Sequence, residues 1–170
     1  PVVLWLADGE YVFKFAVVSG SRVVTQHFEV SVDGEDAVST AIDPVDLGVF
    51  VNGENVGLLM GDGWTYSPIS GLLTLDGSVP YVVSGYDGVG KVQVEIRGEA
   101  DVTFSNLHLS GVGSNANIVR LADGAQVKLG LAGTNLLYSS LGNGAGLRLS
   151  GAARAEIDSC DAAAMLVVGG

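Results

Sequence analysis

Arg120 and Arg148 stand at matching places in two short apolar triplets, VRL and LRL, one repeat apart. Two guanidiniums on neighbouring strands repel each other unless one splays into solvent or an anion sits against both, so the pair is a candidate site for an acidic polysaccharide. Tyr138 and Trp64, with Tyr66 and Tyr86 near them in the pattern, carry rings that could stack on a sugar face, although such rings serve more often as core or cap. Hydrolysis of a glycosidic bond needs two carboxyl groups facing across it. The acids cluster instead as Asp33/Glu35/Asp36, Asp43/Asp46 and Asp158/Asp161, in turn and linker sequence, where solvation is their ordinary role. A hard cation takes about six oxygen ligands, so Ca²⁺ is the one metal left open, and no cofactor is expected. His27 and His108 lie far apart with no further ligand at coordination spacing. No GxSxG elbow occurs, and GNGAG is not followed by the helix that cradling a phosphate needs. No catalytic residue is assigned.

The elements that must position these residues repeat. VQVEIRGEADVTF, IVRLADGAQVKL and GLRLSGAARAEI each read as an alternating strand, a turn and a second alternating strand. The turn alanines Ala100, Ala125 and Ala153 are spaced by 25 and 28 residues, a length suited to one coil of a three-sided solenoid. The spacing predicts an all-β, right-handed parallel β-helix of about four coils, with a β-sandwich as the alternative. Its inward columns are predicted as Val94/Val119/Leu147, Ile96/Leu121/Leu149, Leu73/Val102/Val127/Ala155 and Leu75/Phe104/Leu129/Ile157. Glu95, Arg120 and Arg148 then face outward on one side, and Thr74, Thr103, Lys128 and Glu156 on the next, with no two acids adjacent. Opposite charges on neighbouring parallel strands are favourable, each exposed pair contributing about 0.2–1 kcal/mol. A third strand per coil is read in YVVSG, NLHLSG, NLLYSS and MLVVGG, with Asn106 and Asn135 stacked at equivalent corners and His108 pointing outward.

Residues 1–48 read differently and form a separate N-terminal adjunct, with 49–170 as the solenoid. EYVFKFAVV and VVTQHFEVSV alternate as the strands of a one-faced hairpin turning at Ser19-Gly20-Ser21 and ending at Asp33-Gly34. With VVLWL as third strand, this piece is either a cap on the solenoid or part of a sandwich, and EDAVSTAIDPVD follows as an acidic linker. The formal charge of −11 falls mostly in the first half of the chain. Residues 1–85 carry eleven acids against Lys14 and Arg22, and residues 86–170 eight acids against six bases. Such a surface repels phosphate backbones, so no nucleic-acid partner is expected. Cys160, the single cysteine, excludes an internal disulfide and is expected as a buried thiol. No run approaches the roughly 18 apolar residues of a membrane span. The start at Pro1 and the strand-like MLVV before Gly169-Gly170 suggest a natural chain that continues, or a bare solenoid end that self-associates.

GWTYSPISGLLTLDGSVPYVVSG, DVTFSNLHLSG, GAQVKLGLAGTNLLYSSLGNGAGLRLSGAARAEI and MLVVGG together resemble the repeats of bacterial secreted and cell-surface parallel β-helix proteins of the carbohydrate-binding-domain-like kind. Gly133-Thr134-Asn135-Leu136 and Ala145-Gly146-Leu147 are the most specific matches, and ARAEIDSCDAA departs from the pattern where a Thr-rich strand is usual. The resemblance covers residues 61–170. It implies an extracellular location and a glycan-related role, and carries over no catalytic residue. The expectation is a non-catalytic surface scaffold or adhesive spacer within a larger bacterial protein. Its alternatives are a module binding acidic polysaccharide and, third, a polysaccharide lyase.

Overall fold

The computed structural model describes residues 6–19, 22–34, 36–42, 47–87, 90–111, 117–139 and 144–169. The chain forms two compact units, Pro1–Val45 and Asp46–Gly170. It is all-β, with one short 3-10 turn at Val56–Leu58 as the helical element among the described residues.

The first unit is an antiparallel sheet of β1 (Gly9–Ser19), β2 (Arg22–Asp33) and β3 (Asp36–Ile42) in that order. Phe13 lies opposite Phe28 and Tyr11 opposite Val30 in the backbone register. Gly34, at φ 62°, turns the chain so that Asp36 pairs with Asp33. This corrects the linker expected from residue 35 onward, because DAVSTAI is the third strand. Its small side chains give an alternation too faint to read as a strand. VVLWL and Pro44 lie outside the described residues, apart from Leu6.

In the second unit β4 (Val49–Val51), β5 (Glu54–Asn55), β6 (Met60–Gly61) and β7 (Trp64–Ser67) come first, all antiparallel to their neighbours. They are followed by β8 (Leu72–Leu75), β9 (Tyr81–Asp87), β10 (Gln93–Ile96), β11 (Glu99–Gly111), β12 (Val119–Leu121), β13 (Gln126–Ala132), β14 (Thr134–Ser139), β15 (Leu147–Leu149), β16 (Arg154–Ser159) and β17 (Met165–Gly169). These later strands pair in parallel as three ladders: β8-β10-β12-β15, β9-β11-β13-β16 and β11-β14-β17. The long β11 joins the second and third ladders at Asn106, whose φ of 50° and extra residue against β9 make a bulge that re-aims the strand.

The columns Val94/Val119/Leu147 and Ile96/Leu121/Leu149 form in the expected register. Two other columns do not. Leu73 and Leu75 pair with Val94 and Ile96, extending the first ladder rather than the second. Tyr81 and Val83 take the places assigned to them, opposite Val102 and Phe104, so YVV begins on the second ladder and not the third. Val102 pairs with Leu129 and Ala100 with Val127, a slip of two residues from the expected match. The turn from β12 to β13 is longer than the turn from β10 to β11, which aligns Ala125 with Gly98, its neighbour Gln126 bonding the Gly98 carbonyl. Val127 opposite Ala155 and Leu129 opposite Ile157 stand as expected.

Candidate functional site

Glu95 is central to the first ladder's outward column, Thr74-Glu95-Arg120-Arg148. Arg120 and Arg148 stand in the column as expected, whereas Thr74, assigned from sequence to the second face, stands on the other side of Glu95, and the burial of Glu95 was not expected. The carboxylate is covered by two guanidiniums, Arg97 Nε at 2.5 Å from Oε1 and Arg120 in a close ion pair with Oε2. Both arginines keep about half of their side chain in solvent, which spreads the cost of burying the carboxylate. Arg148 extends the column from β15 and is exposed. Arg97 and Arg120 thus face one carboxylate and Arg148 stands one strand beyond Arg120, the four groups summing to +2 on a strongly acidic chain. Beside Arg120 lies a small cavity of about 210 Å³, lined also by Ser70, Gln93 and Asn117.

The expected rings do not join this cluster. Trp64 is buried in β7 against β8, filling the end of the core, and offers no face to a sugar. Tyr66 is buried as well, its hydroxyl donating to the Lys91 carbonyl at 2.9 Å. Burial, and next the charge of Asp87, push its phenol above the usual range. Tyr138 is exposed but belongs to β14 on the third ladder, opposite Ser110 and Gly169. A second exposed ring, Tyr86 near the end of β9, stands edge-on to His108 of β11 with centroids 6.2 Å apart, and Leu136 and Val167 continue that column along the third ladder. His108 points outward and is half-buried.

A groove of about 640 Å³ runs across the second ladder. Its middle rank is Val79, Ala100, Val127 and Ala155; on one side stand Glu99, Gln126 and Arg154, on the other Asp101, Lys128 and Glu156. Thr103 does not stand over Lys128 as expected, because the two-residue slip puts Asp101 there and Thr103 opposite Gly130. Glu99 and Asp101 share one face of β11, so adjacent outward acids do occur, contrary to the register read from sequence. Both are exposed, without the apolar surroundings that keep a catalytic carboxyl protonated. No three His, Cys, Asp or Glu among the described residues converge to hold a metal ion.

Asn106 and Asn135 do not stack. Asn106 lies level with Thr134 and accepts its amide at 3.2 Å, while Asn135 lies level with Leu107 and is buried. Asn135 Oδ1 accepts from Leu107 N at 2.9 Å, and Nδ2 donates toward the carbonyls of Ala132 and Met165 at 3.2 and 3.3 Å. One amide thereby serves three successive strands of the ladder. Cys160, just after the edge strand β16, is exposed rather than buried.

Tyr81 was not singled out by its sequence, where it reads as one more apolar strand residue. Its buried hydroxyl sits 2.7 Å from the Gly63 carbonyl and 2.8 Å from Asp76 Oδ1, and accepts from Gly77 N at 3.1 Å. Hydrogen bonds from the Ser78 side chain and amide, and then from Tyr81, hold Asp76 below the usual carboxylate range. Comparison with family models, curated proteins and solved structures gives no match.

Proposed function

We propose that residues 49–170 are a parallel β-helix and that the chain is a non-catalytic scaffold or adhesive spacer, part of a secreted or cell-surface bacterial protein. The observation that supports this reading is the succession of three parallel ladders, each with an inward column of apolar residues such as Val94/Val119, Val102/Leu129 and Leu109/Leu137. Parallel strands joined by short turns must rise from one level to the next, and a stack of such levels is a rod whose faces keep fixed spacing. Extracellular placement rests on the resemblance in residues 61–170. The test is a panel of neutral and uronate polysaccharides with and without Ca²⁺. A spacer shows no saturable binding and releases no unsaturated product absorbing in the ultraviolet, and either signal sinks the scaffold reading.

A second reading, a module for acidic polysaccharide, is favoured by one feature, the net positive cluster of Arg97, Arg120 and Arg148 about Glu95. Arg148 is its free arm. Under this reading a uronate polymer binds more weakly as salt rises, and Arg148→Ala lowers the affinity roughly tenfold, the scale of one charge-assisted contact. An unchanged affinity in that variant removes the cluster from consideration.

A further inference from the structure

Asn52-Gly53 is one of two Asn-Gly pairs in the sequence, the other being Asn143-Gly144. It forms the tight turn between β4 and β5, with Val51 opposite Glu54. Both residues have left-handed backbone, φ 51° and 83°, as such a hairpin turn requires. An Asn before a Gly is also chemically weak. No Cβ shields the Gly53 nitrogen, and in a free chain that nitrogen attacks Asn52 Cγ. The N–Cγ bond forms, the Cγ–Nδ2 bond breaks, and Nδ2 leaves as ammonia with the proton given up by the Gly53 amide. Water then opens the cyclic imide at either carbonyl, giving aspartate or isoaspartate at position 52. Asn52 is exposed, so water has access to it.

The fold ties this carboxamide to another strand. Asn52 Oδ1 accepts from Val82 N at 2.7 Å, and Nδ2 donates to the Pro80 carbonyl, just before β9, at 3.2 Å. Asn52 N donates to the Val82 carbonyl at 2.9 Å. Side chain and main chain together make the last rung between β4 and β9. Ring closure turns Cγ onto its own backbone and expels Nδ2, so both side-chain bonds must break first. The hold of β4 on the ladder is short. It pairs with β9 over its own three residues, whereas β9 pairs with β11 along its whole length. Release of β4 exposes Val49 and Val51, which are fully buried, and this keeps the open fraction small.

We infer that Asn52 is a spontaneous deamidation site that the fold masks, and that it reacts when β4 parts from β9 while the parallel ladders stay paired. Opening and closing of a short strand are fast beside imide formation. The rate of modification is then the free-chain rate multiplied by the fraction of time β4 stands open. The product keeps the strand from returning. Isoaspartate carries the backbone through Cγ, which adds an atom to a turn without slack, and aspartate has no N–H to donate to Pro80. Position 52 thereby accumulates a record of opening at this end of the ladders.

Incubation of the whole chain at neutral pH, native and in concentrated urea, tests this, with position 52 read by digestion and mass spectrometry apart from Asn143-Gly144. The native chain is expected to modify position 52 roughly tenfold or more slowly than the unfolded one, since β4 is closed most of the time. Val49→Ala trims the buried hold of β4 and leaves the Asn-Gly pair intact. It is expected to raise the native rate several-fold and to leave the urea rate unchanged. Asn135→Ala weakens the ladders elsewhere and is expected to change neither. Hydrogen exchange in the wild type reads the same opening without a substitution. The Asn52 and Val82 amides are expected to exchange ahead of those of Val102 and Leu129, and faster still in the modified fraction. Equal rates in native and unfolded chain overturn the masking, and an unreactive position 52 in urea overturns the site. Equal acceleration by the two variants, or a Val82 amide that exchanges together with Val102, shows that only global unfolding exposes Asn52 and overturns the local opening. A modified fraction with unchanged Val82 exchange overturns the record.

Discussion

Asn135 and Glu95 show how two buried polar side chains hold adjoining strands by different means. Asn135 is neutral and makes its bonds to main chain, so replacing it by Ala leaves the buried Leu107 amide without an acceptor. The expected cost is about 1–3 kcal/mol, read as a lower urea midpoint with an unchanged slope. A midpoint within error of wild type means that water replaces the amide. Glu95 is charged and has two partners, which makes its energetics non-additive. Arg120→Ala leaves Arg97 on the carboxylate, and Arg97→Ala leaves Arg120. Only the double variant buries the carboxylate with neither. The double variant is therefore expected to lose more than the two single variants together, by about 1 kcal/mol or more in a denaturation cycle. Simple additivity would show that solvent already reaches Glu95.

At the scale of the element, the bends between ladders depend on backbone that ordinary residues resist. Gly133 has a φ of 62°, and a Cβ there would also collide with the Asn106 side chain. Gly133→Ala is thus strained twice and is expected to cost about 1–3 kcal/mol, whereas Asn106→Gly relaxes φ but gives up the bond to Thr134 and stays within about 1 kcal/mol of wild type. Thermal melts of the two variants distinguish them, and equal melts would mean that the corner adapts freely. The same elements explain what a reader of the sequence can and cannot see. Alternation identifies which residues face inward, and it did so for Val94, Val119 and Leu121. A slip of one residue would invert every face, but a slip of two is silent, which is why Val102 was matched to Val127 rather than Leu129. Alternation also has the same period on every ladder, so Leu73 fits the second ladder by spacing as well as it fits the first. Burial of Glu95 and Trp64 was illegible for another reason. It depends on side chains reaching over from neighbouring strands, and spacing along one strand does not encode that reach. DAVSTAI escaped notice as a strand because Ala37, Ser39 and Ala41 are too small to contrast with their neighbours.

At the scale of the whole molecule, the hairpin-covered end of the ladders holds two phenols whose titration is tied to folding. Tyr81 is pushed above the usual range mainly by burial and then by its bond to Asp76; Tyr66 is pushed up by burial and then by the charge of Asp87. An acid whose folded pKa is raised keeps its proton longer in the folded chain than in the unfolded one. Between those two values the unfolded state loses the proton first, so stability falls as pH rises past about 10, the value for an unfolded tyrosine. Asp76 contributes in the opposite sense. Its folded value is lowered, so its share of stability is present above about 3.9 and is lost as pH falls below that. Alkaline titration followed at once by phenolate absorbance and circular dichroism is expected to show part of the phenolate signal appearing together with loss of strand signal. Tyr81→Phe removes one of the two groups. It leaves the Gly77 amide unserved, and so lowers stability at neutral pH, but it also flattens the alkaline decline. A decline as steep in Tyr81→Phe as in wild type would mean that the phenol ionises inside the folded chain, and that the bonds to Gly63 and Asp76 do not hold that end of the core closed.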